Sequence, residues 1–155
     1  YGSMDTNRRA GHPLSDGRVV KRVDCAPRIA ALREVMSECN EKIIIFAPLT
    51  SVLTLLNQEL KEFTRAVING QVSQKERSEL FRSFQDDPSP RVLIADPATM
   101  SHGLTLTAAS IIIWYAPVDR TELYLQANKR IDRPGQTKTH IFPISICCYS
   151  IRLTP

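Results

Sequence analysis

Short apolar runs alternate with amphipathic stretches along most of the chain. Lys42-Ile43-Ile44-Ile45-Phe46 is apolar at four successive positions and mostly β-branched. Such a run suits a strand buried on both faces of a parallel sheet. Arg65 to Ile68, Arg91 to Ala95 and Ile111 to Tyr115 predict further strands. Thr139 to Cys148 predicts a last one, and Pro143 inside it consigns part of that strand to an edge or an irregular stretch. Between these runs the apolar period lengthens. Ile29, Leu32, Val35 and Met36 recur at helical spacing, with Asp24 as a candidate cap and Pro27 in the first turn. Val52, Leu55, Leu56 and Leu60 predict a helix from Thr50 or Ser51 to about Glu62. Asn69-Gly70 reads as a turn, and Ser73-Gln74-Lys75-Glu76 has the form of a capping box opening a helix through Leu80, Phe81 and Phe84. Asp86-Asp87-Pro88-Ser89-Pro90 ends it, and Thr121 caps a helix running to about Asp132. Strand and helix alternate throughout, which predicts an α/β fold: a doubly wound, mainly parallel sheet with helices on both faces.

At 155 residues this is one ordinary domain, and 43% hydrophobic content supplies one core. Residues 1–24 are polar and basic, and read as a linker or arm; Tyr1-Gly2-Ser3-Met4 has the look of a cloning-tag scar. The lobe proper is expected over 25–148, with 149–155 a tail that stops short of the natural domain end. No apolar run is long enough to cross a bilayer, and the polar start does not resemble a signal peptide, so an intracellular location, cytoplasmic or nucleoid-associated, is expected. The net charge of +4 permits nucleic-acid binding without establishing it. Cys25, Cys39, Cys147 and Cys148 form no CxxC pair, and with three scattered histidines they offer no metal-ligand spacing.

The chemistry concentrates in Glu122 to Gln136, ELYLQANKRIDRPGQ. Gln126, Arg130 and Arg133 fall within roughly 60° of one another on a helix at about 100° per residue. Leu123, Ala127 and Ile131 are spaced to take the core face instead. Pro134 disfavours helix at Arg133, and Gly135 lets the chain turn. Arginine suits a phosphate because its planar fork donates in pairs and keeps its charge.

These residues resemble motif VI of the Swi/Snf-type ATPases of helicase superfamily two, Q-A-x-x-R-x-x-R-x-G-Q. Three further segments resemble that family in its own order. Ile43 to Pro48 followed by Thr50-Ser51 resembles motif IV. Gly70 to Arg77 resembles the G-x-x-x-Q-x-x-R segment. Asp96 to Ala109 resembles motif V, in which a glycine-containing loop lies between nucleic acid and ATP. The chain carries Ser101 where the family usually has a second glycine and Thr105 where it has asparagine. The Ser101-His102-Gly103 version of this loop is similar to that of compact phage or bacterial members. The RNA-helicase branch usually ends motif VI in Gly-Arg, whereas this chain has Pro134-Gly135-Gln136.

The resemblance implies a RecA-like second lobe of a DNA helicase or translocase. It implies Arg130 and Arg133 as the catalytic arginine-finger pair, with Gln126, Gly103 and Gln136 in the ATP cleft. It implies Thr50, Ser51, Gln74, Arg77, Ser101, His102 and Thr105 as nucleic-acid contacts; Gln74 and Arg77 have the alternative of steadying their own turn. Trp114 reads as core rather than as a base-stacking platform. Neither a P-loop nor an Asp-Glu-x-His magnesium motif occurs. In this family both belong to the first lobe, so ATP and Mg2+ would be held mainly by that N-terminal RecA-like lobe of the same protein. The full-length protein would be an ATP hydrolase acting on DNA, duplex in the leading reading, and the fragment alone would hydrolyse nothing. An RNA-helicase lobe, or a stand-alone α/β module binding an anion or nucleotide, is the alternative.

Overall fold

The computed structural model describes residues 12–13, 19–20, 25–64, 66–101, 106–116, 118, 120–129 and 142–145. β1 (His12–Pro13) and β2 (Val19–Val20) form a short antiparallel pair. Two-residue strands pair through backbone groups and need no apolar pattern, so no periodicity announced them. The rest of the order is α1 (Ala26–Glu38), β3 (Lys42–Phe46), α2 (Thr50–Glu59), β4 (Val67–Ile68), α3 (Gln74–Asp86), β5 (Val92–Ala95), a 3-10 turn (Pro97–Ser101), β6 (Ala109–Trp114), α4 (Thr121–Lys129) and β7 (Phe142–Ser145).

β4, β5, β3, β6 and β7 lie side by side in that order, every pair parallel. Alternation along the central strand splits the core into two layers. Ile43 and Ile45 pack with Leu32, Met36, Leu53 and Leu56 of α1 and α2. Ile44 and Phe46 pack with Phe81 and Phe84 of α3 and Ala127 of α4. Strands covered on both faces read as unbroken apolar runs, which is why Ile43 to Phe46 was legible as a buried strand. β6 begins two residues earlier than its apolar run suggests. The register shifts after Lys42, which pairs with Ala109 while Ile43 pairs with Ile111. The extra residue puts Ala109 and Ile112, three apart, in the same layer. β7 is an edge strand, the position that tolerates Pro143 opposite Ile112.

α2 ends three residues short of the predicted Glu62. Thr64 is 5% exposed; its hydroxyl donates to Val92 O at 2.6 Å and accepts from Ala66 N at 2.9 Å. That tie pulls the chain into the sheet and leaves Lys61–Phe63 as a turn. Two cations close helix C-termini at the same end of the sheet. Arg91 donates to Met36 O at 2.8 Å and to Cys39 O beneath α1. The Lys42 ammonium donates to Phe84 O and Asp87 O beneath α3. Orphan carbonyls and the negative helix end both favour a positive charge there. Burial lowers the Lys42 pKa, opposed by Asp87 and Asp86. α1 starts without the expected aid: its N-cap is Cys25, which supplies no side-chain bond, and Asp24 lies outside the described residues.

Candidate nucleotide and nucleic-acid interface

In an all-parallel sheet every strand ends at the same edge, and the loops leaving those ends converge there. The connection leaving β3 runs through α2 on one face towards β4, and the connection leaving β6 runs through α4 on the other face towards β7. β3 and β6 are neighbours. Chains that depart in opposite directions from adjacent strand ends leave a crevice between them, a recurrent place for ligands in open α/β sheets. Thr50 and Ser51 open α2 on one side of it, and α4 stands on the other.

The starts of α2 and α3, both at this edge, differ in their electrostatics. α2 begins after Leu49, which is extended, 56% exposed and supplies no side-chain cap. Thr50 and Ser51 are exposed, and Thr54 Oγ1 bonds back to Thr50 O at 3.0 Å. α3 closes its own start. Ser73 Oγ accepts from Glu76 N at 3.3 Å, and Glu76 Oε2 accepts from Ser73 N at 3.2 Å and from Ser73 Oγ at 2.8 Å. These bonds lower the Glu76 pKa, so a carboxylate already occupies the positive end of α3. Of the two starts, α2 is the better placed to receive a phosphate.

The Asn69-Gly70 turn forms as predicted, with Asn69 Oδ1 accepting from Gln71 N at 2.9 Å. Gln74 is exposed in the first turn of α3. Arg77 is half-buried, and its Nη2 donates to Val72 O at 3.3 Å. The Arg77 guanidinium therefore steadies its own turn, one of the two roles expected of it.

The segment after β5 starts as a helical turn rather than as a plain loop. Asp96 organises it: its Oδ1 accepts from Ala98 N at 2.9 Å, and its carbonyl accepts from Thr99 Oγ1 at 2.6 Å. Ser101 is the last residue of that turn. His102, Gly103 and Thr105 lie outside the described residues. The chain re-enters the core at Leu106, and Gln85 of α3 grips the two residues after it. Its Nε2 donates to Thr107 Oγ1 at 3.0 Å, and its Oε1 accepts from Ala108 N at 3.1 Å.

α4 carries Gln126, which is exposed as the stripe requires, while Ala127 is 2% exposed and Leu123 half-buried. Ile131, Arg130, Arg133 and Gln136 lie outside the described residues. Trp114 is core, 2% exposed, with its ring 4.7 Å from Phe46 and 4.8 Å from Tyr124. Its Nε1 donates to Asn128 Oδ1 at 3.2 Å. Asn128 and Gln85 went unremarked in the sequence. The one signal available was a polar residue beside Ala127, on the side of the helix away from Gln126.

The profile of the helicase conserved C-terminal domain matches residues 27–135, which reach from Pro27 in α1 past Arg130 and Arg133. This chain belongs to the helicase C-terminal domain family. It is similar to the lymphoid-specific helicase of Homo sapiens, 32% identical over 99 residues that make up 63% of this chain and 12% of that protein. It is similar to the ATP-dependent helicase ULS1 of Saccharomyces cerevisiae, 32% identical over 114 residues, 71% of this chain and 7% of that protein. It is 31% identical over 110 residues to the ATP-dependent DNA helicase DDM1 of Arabidopsis thaliana, 68% of this chain and 14% of that protein. The chain thus spans only a small part of the length of these relatives. The solved C-terminal part of the Fun30 ATPase domain superposes with a TM-score of 0.67 at 24% identity, covering 76% of this chain and 40% of that one. That likeness fixes the helicase C-terminal domain as RecA-like in fold.

Proposed function

We propose that this helicase C-terminal domain is the second motor lobe of an ATP-driven DNA helicase or translocase, acting inside the cell beside an N-terminal RecA-like lobe of the same protein. The observation that carries this reading is the all-parallel sheet, which brings the starts of α2 and α3 and the turn ending at Ser101 to one edge, with α4 across the crevice. Of the segments expected to touch nucleic acid, the turn ending at Ser101 packs against the helix that carries Gln126.

In this mechanism Arg130 and Arg133 stabilise charge developing on the transferring phosphoryl group, and Gln126, Gly103 and Gln136 complete this lobe's side of the ATP cleft. Arginine fingers of this kind contribute roughly 10³–10⁵ in turnover. Among the described residues no three His, Cys, Asp or Glu side chains converge as a metal site. In the full-length protein ATP and Mg2+ would be held mainly by the first lobe, where the metal would neutralise phosphate charge. Thr50, Ser51, Gln74, Ser101, His102 and Thr105 grip the DNA backbone, and Arg77 braces the α3 start from which Gln74 projects. Backbone grip is independent of base sequence and weakens with salt.

The test compares the full-length protein, its Arg133→Ala variant and the isolated chain in one ATPase assay with duplex DNA or RNA. The full-length protein is expected to hydrolyse ATP and to respond more strongly to duplex DNA. Arg133→Ala should lower turnover by about 10³-fold with ATP binding largely retained. The isolated chain should hydrolyse nothing. Unchanged turnover in Arg133→Ala rejects the finger assignment, turnover by the isolated chain rejects the half-site reading, and preference for RNA moves the protein to the RNA-helicase branch.

A further inference from the structure

The stripe on α4 is useful only if the helix is held at one rotation about its own axis. Side-chain ends lie about 5–6 Å from a helix axis, so a rotation of about 10° displaces them by about 1 Å. A misplacement of that size at a reacting centre costs on the order of 10²-fold in rate. Packing of small apolar groups alone restrains such a rotation weakly, because Ala127 presents little shape to the sheet.

The structure supplies a directional restraint from β6. The indole of Trp114 meets α4 at two positions one turn apart. Its ring lies against Tyr124 at 4.8 Å and its Nε1 donates to Asn128 Oδ1 at 3.2 Å. Residues four apart share a helix face, so the two contacts act on the same side. Ala127, 2% exposed, lets that face approach the sheet closely. Trp114 is itself wedged against Phe46 of the central strand at 4.7 Å, which ties the anchor to the middle of the sheet. Indole has a single polar hydrogen, and at 2% exposure it has little access to water, so losing Asn128 leaves a buried donor unsatisfied. Asn128 stands about 200° around the helix from Gln126. Holding the inner side at Asn128 therefore sets the direction of the outer side at Gln126, which is exposed.

We infer that Asn128 is a positioning residue for the nucleotide-facing side of α4: it locks the helix to the Trp114 indole and so sets the aim of Gln126. This rests on the reading of that stripe as this lobe's side of the ATP cleft.

The test is steady-state ATPase kinetics on the full-length protein with saturating duplex DNA, below the melting temperature measured for each variant. Asn128→Leu keeps the branched shape of the side chain and removes the acceptor. It should lower kcat by on the order of 10²-fold while KM for ATP stays within about threefold. Asn128→Asp keeps an acceptor at the same place and should recover most of that loss. Trp114→Phe removes the donor and should reproduce the kcat loss, and the double variant should be no worse than the poorer single one. If Asn128→Leu fails to fold, Trp114→Phe and Asn128→Asp carry the comparison. Wild-type kcat in Asn128→Leu or Trp114→Phe, equal damage from Asn128→Asp and Asn128→Leu, or additive losses in the double variant would each overturn the inference while leaving the ATPase reading intact. A wild-type protein without ATPase activity would overturn both.

Discussion

Replacing Thr64 by valine tests how the edge of the sheet is held in register. The side chain keeps its shape and loses one oxygen that makes two bonds, to Val92 O at 2.6 Å and from Ala66 N at 2.9 Å. Thr64, Ala66 and Val92 are all buried, so water does not replace those bonds. An orphaned buried donor costs about 1–3 kcal/mol, and the stranded carbonyl adds to that. The added methyl group returns about 0.8 kcal/mol by burial. The net loss is about 1–3 kcal/mol, equivalent to roughly 2–12 °C in Tm for a domain of this size. Urea unfolding should show a lower midpoint at unchanged slope. Hydrogen exchange should quicken first at Ile94 N and Asp96 N, which pair with Ala66 O and Ile68 O of the edge segment. Thr64→Ser, which keeps the hydroxyl, should lose much less. A Thr64→Val protein as stable as the wild type, or equal damage in Thr64→Ser, would refute this account of the edge. On the proposed function, the loosened edge should also weaken DNA binding through Gln74, because β4 leads into the Asn69 turn and α3.

The Glu76 pKa is lowered by its bonds from Ser73, so this contribution is fully present above the ordinary value of 4.5 and is lost as pH falls through the lower folded value. An acid titration monitored by far-UV circular dichroism should show early helix loss in the wild type that Glu76→Gln lacks, since glutamine keeps an acceptor without titrating; identical curves would count against it. Gln85→Leu should cost about 1–2 kcal/mol and speed amide exchange at Ala108, with Gln85→Glu protecting that amide; unchanged exchange in Gln85→Leu would show that its 3.1 Å bond does not hold the turn.

Much of this protein was legible without coordinates because the deciding forces are local. Ile43 to Phe46 is apolar at every position, and a strand covered on both faces has that signature. Ser73 and Glu76 carry their own helix start in their spacing. Pro143 lacks a donor and belongs at an edge, where β7 lies. The motif order through residues 27–135 held the family identity, since the order of segments is a property of the chain itself.

The features that the tertiary structure decided depend on partners far apart in sequence. Thr64 ends α2 early because Val92, 28 residues away, offers a carbonyl. The bulge at the start of β6 arises from pairing with β3, and no periodicity within β6 records it. The capping box at α3 was visible, yet only the arrangement of helices at one sheet edge put the start of α2, which has no side-chain cap, beside the crevice. Gln126 was readable as one member of a stripe from helical geometry alone. The direction that stripe takes was not, because it is set by an indole on β6 and an amide on α4 that meet only when helix and sheet pack.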